Sequence, residues 1–90
     1  MSLHVLHVID TLATGGKERM LVDLANQTVV EGAKASVCIT RSGLQMASEL
    51  NPKIELIVLN RQKRFDFSAM NAFADFVNRS NVDILHCHAA

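Results

Sequence analysis

Ninety residues with nine basic and nine acidic side chains make one small domain of zero formal net charge, without the basic excess of a dedicated nucleic-acid binder. Hydrophobic residues account for 49% of the chain, so a core is available, although a domain this short buries only about 60–65% of its unfolded surface. Cys38 and Cys87 stand alone in apolar runs and read as reduced core residues, and no basic leader precedes a long apolar run, so a soluble cytoplasmic protein is expected.

Residues 3–9, rich in aliphatic and β-branched side chains, read as a buried first strand. A polar turn over residues 10–14 leads to Gly15 and Gly16. From 17 to 30 the apolar positions Met20, Leu21, Leu24, Ala25 and Thr28 or Val29 fall at helical spacing, and Gly32 supplies the helix stop. Residues 35–40 form the second strand. Residues 44–50 suit a short helix ended by Asn51-Pro52, and 54–59 form the third strand. A basic loop over 60–67 carries Arg61, Lys63 and Arg64 beside Phe65 and Phe67. Ser68 is the expected N-cap of a helix through Arg79, with Met70, Phe73, Phe76 and Val77 on one face. The fourth strand spans 83–87.

Strands alternating with helices predict an α/β fold: a Rossmann-like, doubly wound parallel sheet, incomplete, in strand order 3-2-1-4 with helices on both faces. In that order strands 1 and 4 are neighbours, and the reversal of chain direction between them makes a crevice at their carboxyl ends. The glycine turn after strand 1 and the histidines closing strand 4 are expected to meet there. Strand 4 is expected to be an exposed apolar edge through which the chain self-associates.

Three segments carry candidate chemistry. Gly15-Gly16 opens a helix, where bare backbone N–H groups and the positive end of the helix dipole suit an anion; a plain tight turn is the alternative. Thr14-Gly15-Gly16-Lys17-Glu18-Arg19 lacks the third glycine of a dinucleotide-binding turn, and Lys17 followed by Glu18 is not a phosphate-binding P-loop. His86 and His88, two apart on a strand, share one side with Cys87 on the other. They suit a polar crevice lining that hydrogen-bonds a sugar hydroxyl or a phosphate. No metal is expected, because no further ligands are evident beyond His4 or His7, which read as core or edge histidines. The basic loop is expected to be solvated with its phenylalanines packed onto the sheet; the other reading is contact with an anionic membrane surface or a phosphorylated acceptor.

These segments together resemble the N-terminal, acceptor-side half-domain of a GT-B glycosyltransferase of family 4. His4-Val5-Leu6-His7-Val8-Ile9 resembles the family's first strand, and Gly15-Gly16-Lys17-Glu18-Arg19 followed by Met20-Leu21-Val22-Asp23-Leu24-Ala25 resembles its glycine turn and helix. Glu31-Gly32-Ala33-Lys34-Ala35-Ser36-Val37 is similar to the entry to the second strand, and Val82-Asp83-Ile84-Leu85-His86-Cys87-His88 to the fourth. Ala89-Ala90 and Asn81 depart from the family pattern. The resemblance implies a retaining enzyme that moves a sugar from a nucleotide-sugar donor to a glycan, lipid or small-molecule acceptor, with no cofactor. It implies that Gly15 and Gly16 face the donor diphosphate and that Lys17, Glu18, His86 and His88 lie on the cleft and acceptor side. Residues 1–90 would then be a fragment, inactive without a donor-binding domain. The competing expectations are a stand-alone flavodoxin-like module binding a phosphate ligand and, with Arg41 on a 2′-phosphate, part of an NADP-dependent oxidoreductase.

Overall fold

The computed structural model describes residues 3–62 and 66–88. Strand β1 (His4–Ile9) leads through a loop to helix α1 (Gly16–Val30), strand β2 (Lys34–Ile39), a single 3-10 turn (Ala47–Glu49), strand β3 (Glu55–Val58), helix α2 (Phe67–Arg79) and strand β4 (Ile84–Cys87). All pairings are parallel and the sheet order is β3-β2-β1-β4. This is the predicted α/β, Rossmann-like arrangement.

The two central strands explain why their sequences read as nearly unbroken apolar runs: each is covered on both faces. On one face Ile9, Val37 and Ile39 pack with Leu21, Val22 and Ala25 of α1. On the other, Leu6 and Cys38 pack with Phe76 of α2, flanked by Phe73 and Val77. Helices therefore cover both faces. Helix α1 ends as its sequence predicts. Gly32 takes φ +92°, its N–H donates to the Val29 carbonyl, and the Ala33 N–H donates to the Thr28 carbonyl. This paired closure needs a left-handed residue after the cap.

Three local expectations are corrected. The N-cap of α2 is Asp66, whose Oδ1 accepts from the Ala69 N–H at 3.1 Å, so the helix starts two residues earlier than a Ser68 cap allows. Residues 44–50 form only one 3-10 turn. Their backbone is committed elsewhere, because Leu12 N–H donates to the Gly43 carbonyl and Met46 N–H to the Leu12 carbonyl. Cys38 is buried as expected, but Cys87 is exposed, because β4 is an edge strand whose four residues are all exposed. Ile84 and Leu85 on it leave apolar surface uncovered, as anticipated. No helix among the described residues is long and apolar enough to cross a membrane.

Strand β4 is held at its start by Asp83. Its carboxylate accepts from the His4 N–H at 2.8 Å, while its own N–H donates to the His4 carbonyl at 2.9 Å. His4 itself is a satisfied core histidine. Its Nδ1 donates to the Ser80 carbonyl, which leaves Nε2 to accept from the Ser36 hydroxyl at 2.8 Å.

Replacing Asp66 with Ala is expected to cost about 1 kcal/mol and lower Tm by roughly 4–8 °C, whereas Ser68→Ala stays within about 0.5 kcal/mol. Thermal melts of the two variants check the cap assignment. In the native protein a maleimide should label Cys87 and spare Cys38, whose thiol burial pushes up to about 11. Mass spectrometry after labelling, with and without denaturant, reads this out.

Candidate functional site

The chain runs β1, β2, β3 in one direction across the sheet, then returns to place β4 on the far side of β1. Two adjacent loops at the carboxyl ends therefore diverge, the usual place for a ligand in an open α/β sheet. The β1–α1 loop supplies one wall. Gly15 is the N-cap of α1 and has no side chain to accept from the first-turn N–H groups, so no side chain caps them. Its backbone is extended, at φ 174°, a conformation open to any residue, and the only close neighbour of a Cβ there is the movable end of the Glu18 side chain. A Cβ on Gly15 would lie 2.6 Å from Glu18 Oε1, whereas a Cβ on Gly16 would meet nothing within 4 Å. Glu18 thus folds back over Gly15, where Thr11 Oγ1 donates to its Oε2 at a long 3.4 Å. The Gly16 side of the turn is open.

A second feature at the same end was not anticipated. Thr40 Oγ1 donates to Asp10 Oδ1 at 2.9 Å, and Arg61 Nη2 stands 3.9 Å from the same oxygen. With Val8, Leu59 and Phe73 these side chains border a cleft of about 290 Å³ between the strand ends and α2. In sequence Asp10 and Arg61 read as ordinary loop residues and Thr40 as the end of the second strand, and only the parallel register of β1 with β2 brings Asp10 and Thr40 together. Arg61, expected on a basic loop, thus turns inward to Asp10; Lys63, Arg64 and Phe65 lie outside the described residues. Phe67 does not pack back onto the sheet as expected. As the first residue of α2 it is 74% exposed, because the helix faces the sheet with Ala69, Phe73 and Phe76 instead.

The histidines form a separate group. His7 pairs in register with His86, and β-alternation brings His88 to the same face. The rings of His86 and His88 stack with centroids 4.2 Å apart, and His7 lies 5.5 and 5.4 Å from them. His7 Nδ1 and His88 Nε2 approach to 3.2 Å. The hydroxyl of Thr28 donates to the Leu24 carbonyl at 2.8 Å, so its oxygen is free to accept a long 3.5 Å contact from His7 Nε2–H. That assigns the proton of His7 to Nε2 and aims the Nδ1 lone pair at His88. His7 was read from sequence as a satisfied core or edge histidine. It is indeed buried, but its partners are the two candidate site residues.

Thr28 lies twelve residues beyond Gly16, about 18 Å along the helix axis. The imidazoles therefore face the last turns of α1 from the surface of the sheet, and the glycine turn opens at the strand ends. His86 and His88 are brought together with His7, not with Gly15 and Gly16. Lys17 is half-buried in the first turn of α1 beside the glycines.

Burial, and then the neighbouring His88 and His86, hold the His7 imidazole down to about 4 from its ordinary 6.5. Burial, and then His86, also lowers His88. Both effects keep His7 and His88 neutral near pH 7, with lone pairs available. No protein-family model matches this chain, and no curated protein matches it.

Because the folded state binds a proton at His7 less readily than the unfolded chain, stability is intact above pH 6.5 and falls as pH drops from about 6.5 towards about 4. In chelator-treated protein the urea midpoint is expected to decrease between pH 7 and pH 5. His7→Gln should flatten that slope.

Proposed function

We propose that this chain forms the acceptor-side part of a retaining glycosyltransferase, which transfers a sugar from a nucleotide-sugar donor to a glycan, lipid or small-molecule acceptor. The observation that carries the proposal is the placement of Gly15-Gly16. The pair opens α1 at the carboxyl end of β1, on the switch point of a 3-2-1-4 sheet, with first-turn N–H groups that no side chain caps. The sequence resemblance set out above supplies the reaction class.

The chemistry fits the residues. When the bond to the anomeric carbon breaks, negative charge grows on the leaving diphosphate. Backbone N–H groups at a helix N-terminus, fixed in place before the reaction, stabilise that charge without reorganising. The carboxylate of Glu18 occupies the Gly15 side, so the diphosphate approaches over Gly16, where the space is open. Lys17, next along the turn, adds a positive charge. The cleft bordered by Asp10, Thr40 and Arg61 offers a carboxylate, a hydroxyl and a guanidinium for sugar hydroxyls on an otherwise apolar wall. His86 and His88 stand on the acceptor side, on the exposed edge of the sheet. Arg61, Lys63 and Arg64 are assigned to a phosphorylated or lipid-linked acceptor, with peripheral contact at the inner face of a membrane. The donor's nucleotide is assigned to a second domain.

Gly16 is the test position, because a Cβ there meets no protein atom within 4 Å, and the melt of each variant reports whether the fold is kept. In the native protein carrying this domain, supplied with UDP- and GDP-sugars, Gly16→Trp is expected to cut turnover by about 100-fold or more, while Gly16→Ala retains activity and stabilises by up to about 1 kcal/mol. Unchanged donor affinity and turnover in Gly16→Trp, with an unchanged melt, would remove the diphosphate role. Donor binding without transfer to any acceptor would leave a phosphate-ligand module in its place.

A further inference from the structure

The three imidazoles on the β1–β4 face have a geometry that packing does not require. One ring nitrogen from each of His7, His86 and His88 lies within 4.8 Å of the other two. Tetrahedral zinc with Zn–N of about 2.0–2.1 Å sets its ligand nitrogens roughly 3.3 Å apart. His7 Nδ1 and His88 Nε2, at 3.2 Å, already have that spacing. His86 is exposed and His88 only half-buried, so small side-chain rotations that bring the third nitrogen in meet little packing resistance.

The surroundings prepare the group for a cation. His7 is 2% exposed and anchored on its far nitrogen by Thr28, which is itself tied to the Leu24 carbonyl. Such an outer contact fixes the tautomer and orientation of a metal-ligating imidazole. The lone pair of Nδ1 is thereby directed into the cluster. Without a metal, the His7–His88 contact is one N–H···N bond. With a metal, His88 gives up that contact and presents its own lone pair. His86 is exposed, so the cluster is open to solvent on the β4 side.

We propose that His7 Nδ1, His88 Nε2 and a ring nitrogen of His86 bind one divalent transition-metal ion of the zinc type, with water in the open fourth position. Three imidazole ligands select borderline ions such as Zn²⁺, Co²⁺, Ni²⁺ and Cu²⁺ over Mg²⁺ and Ca²⁺, which take oxygen ligands. Cys87 lies on the opposite side of β4 and is not a ligand. The site joins β4 to β1 across the sheet and to α1 through Thr28, so occupancy stabilises the edge strand. It does not involve the glycine turn, and it uses the two histidines placed on the acceptor side of the proposed transferase.

The test is titration of Zn²⁺ alone into the chelator-treated full chain, with Co²⁺ as a spectroscopic probe. One equivalent of Zn²⁺ is expected to bind, raising Tm by about 10 °C or more at a hundredfold excess over Kd, and Co²⁺ should show the visible bands of a tetrahedral site. His86→Gln, at an exposed position that folding does not need, should weaken binding by about 100-fold or more, and Cys87→Ser should leave it unchanged. His88→Gln repeats the ligand test at a second accessible position. Failure to take up one equivalent of either metal would overturn the proposal. So would Mg²⁺ binding as tightly as Zn²⁺, or Zn²⁺ affinity that survives both histidine substitutions. Metal uptake is read without donor or acceptor and none of these outcomes bears on Gly16, so the metal site and the diphosphate role of the glycine turn are tested separately.

Discussion

Every feature of this protein that bears on function depends on β1 lying inside a parallel sheet with β2 on one side and β4 on the other. A strand covered on both faces cannot leave a polar side chain unpartnered, because each such group forfeits its hydration. His4 and His7 lie on β1 three residues apart and so point to opposite faces. His4 meets Ser36 and the Ser80 carbonyl beneath α2, which completes its hydrogen bonding. His7 meets Thr28 on α1, and its other nitrogen meets the histidines of β4. One histidine on the strand is used to close the core and the other to open a site.

The edge strand follows from the same constraint. Strand β4 is anchored to β1 by the Asp83 clip and four register pairs, but no element among the described residues covers its outer side. Its residues are therefore all exposed. That exposure makes Cys87 accessible and leaves Ile84 and Leu85 in contact with water. It also leaves the imidazoles of His86 and His88 within reach of a ligand. The buried His7 supplies a fixed anchor while the two edge histidines stay adjustable, a division suited to capturing a small ion or a polar group.

Much of the architecture was legible because it rests on local rules. The apolar runs of 3–9 and 35–40 signal buried strands, the spacing of Leu21 and Ala25 signals a helix face, and Gly32 signals its end. Other local readings were overruled by contacts that the sequence does not show. The cap expected at Ser68 falls on Asp66, whose second oxygen also accepts from the Gln62 N–H. Residues 44–50 have the composition of a short helix, but the Met46 N–H is taken by the Leu12 carbonyl of the β1–α1 loop and only a 3-10 turn follows. Phe67 resembles a core residue by type, yet it precedes the stretch of α2 that faces the sheet.

The candidate sites divide along the same line. The glycine turn was legible by itself, since a glycine pair between an apolar strand and a helical pattern specifies both its position and its bare N–H groups. The His86–His88 pair was legible as a pair, because alternation alone places both on one side of a strand. Their third partner was not, nor was the meeting of Asp10 with Thr40. His7 and His88 are 81 residues apart in the chain, and their contact depends on which strand β4 joins and in what register. A shift of one residue would have sent His86 and His88 to the other face. Sequence thus determined which residues could bear chemistry and on which elements they sit. The tertiary structure decided which of them meet, because pairing between distant strands is set by burial of the whole sheet and not by any local pattern.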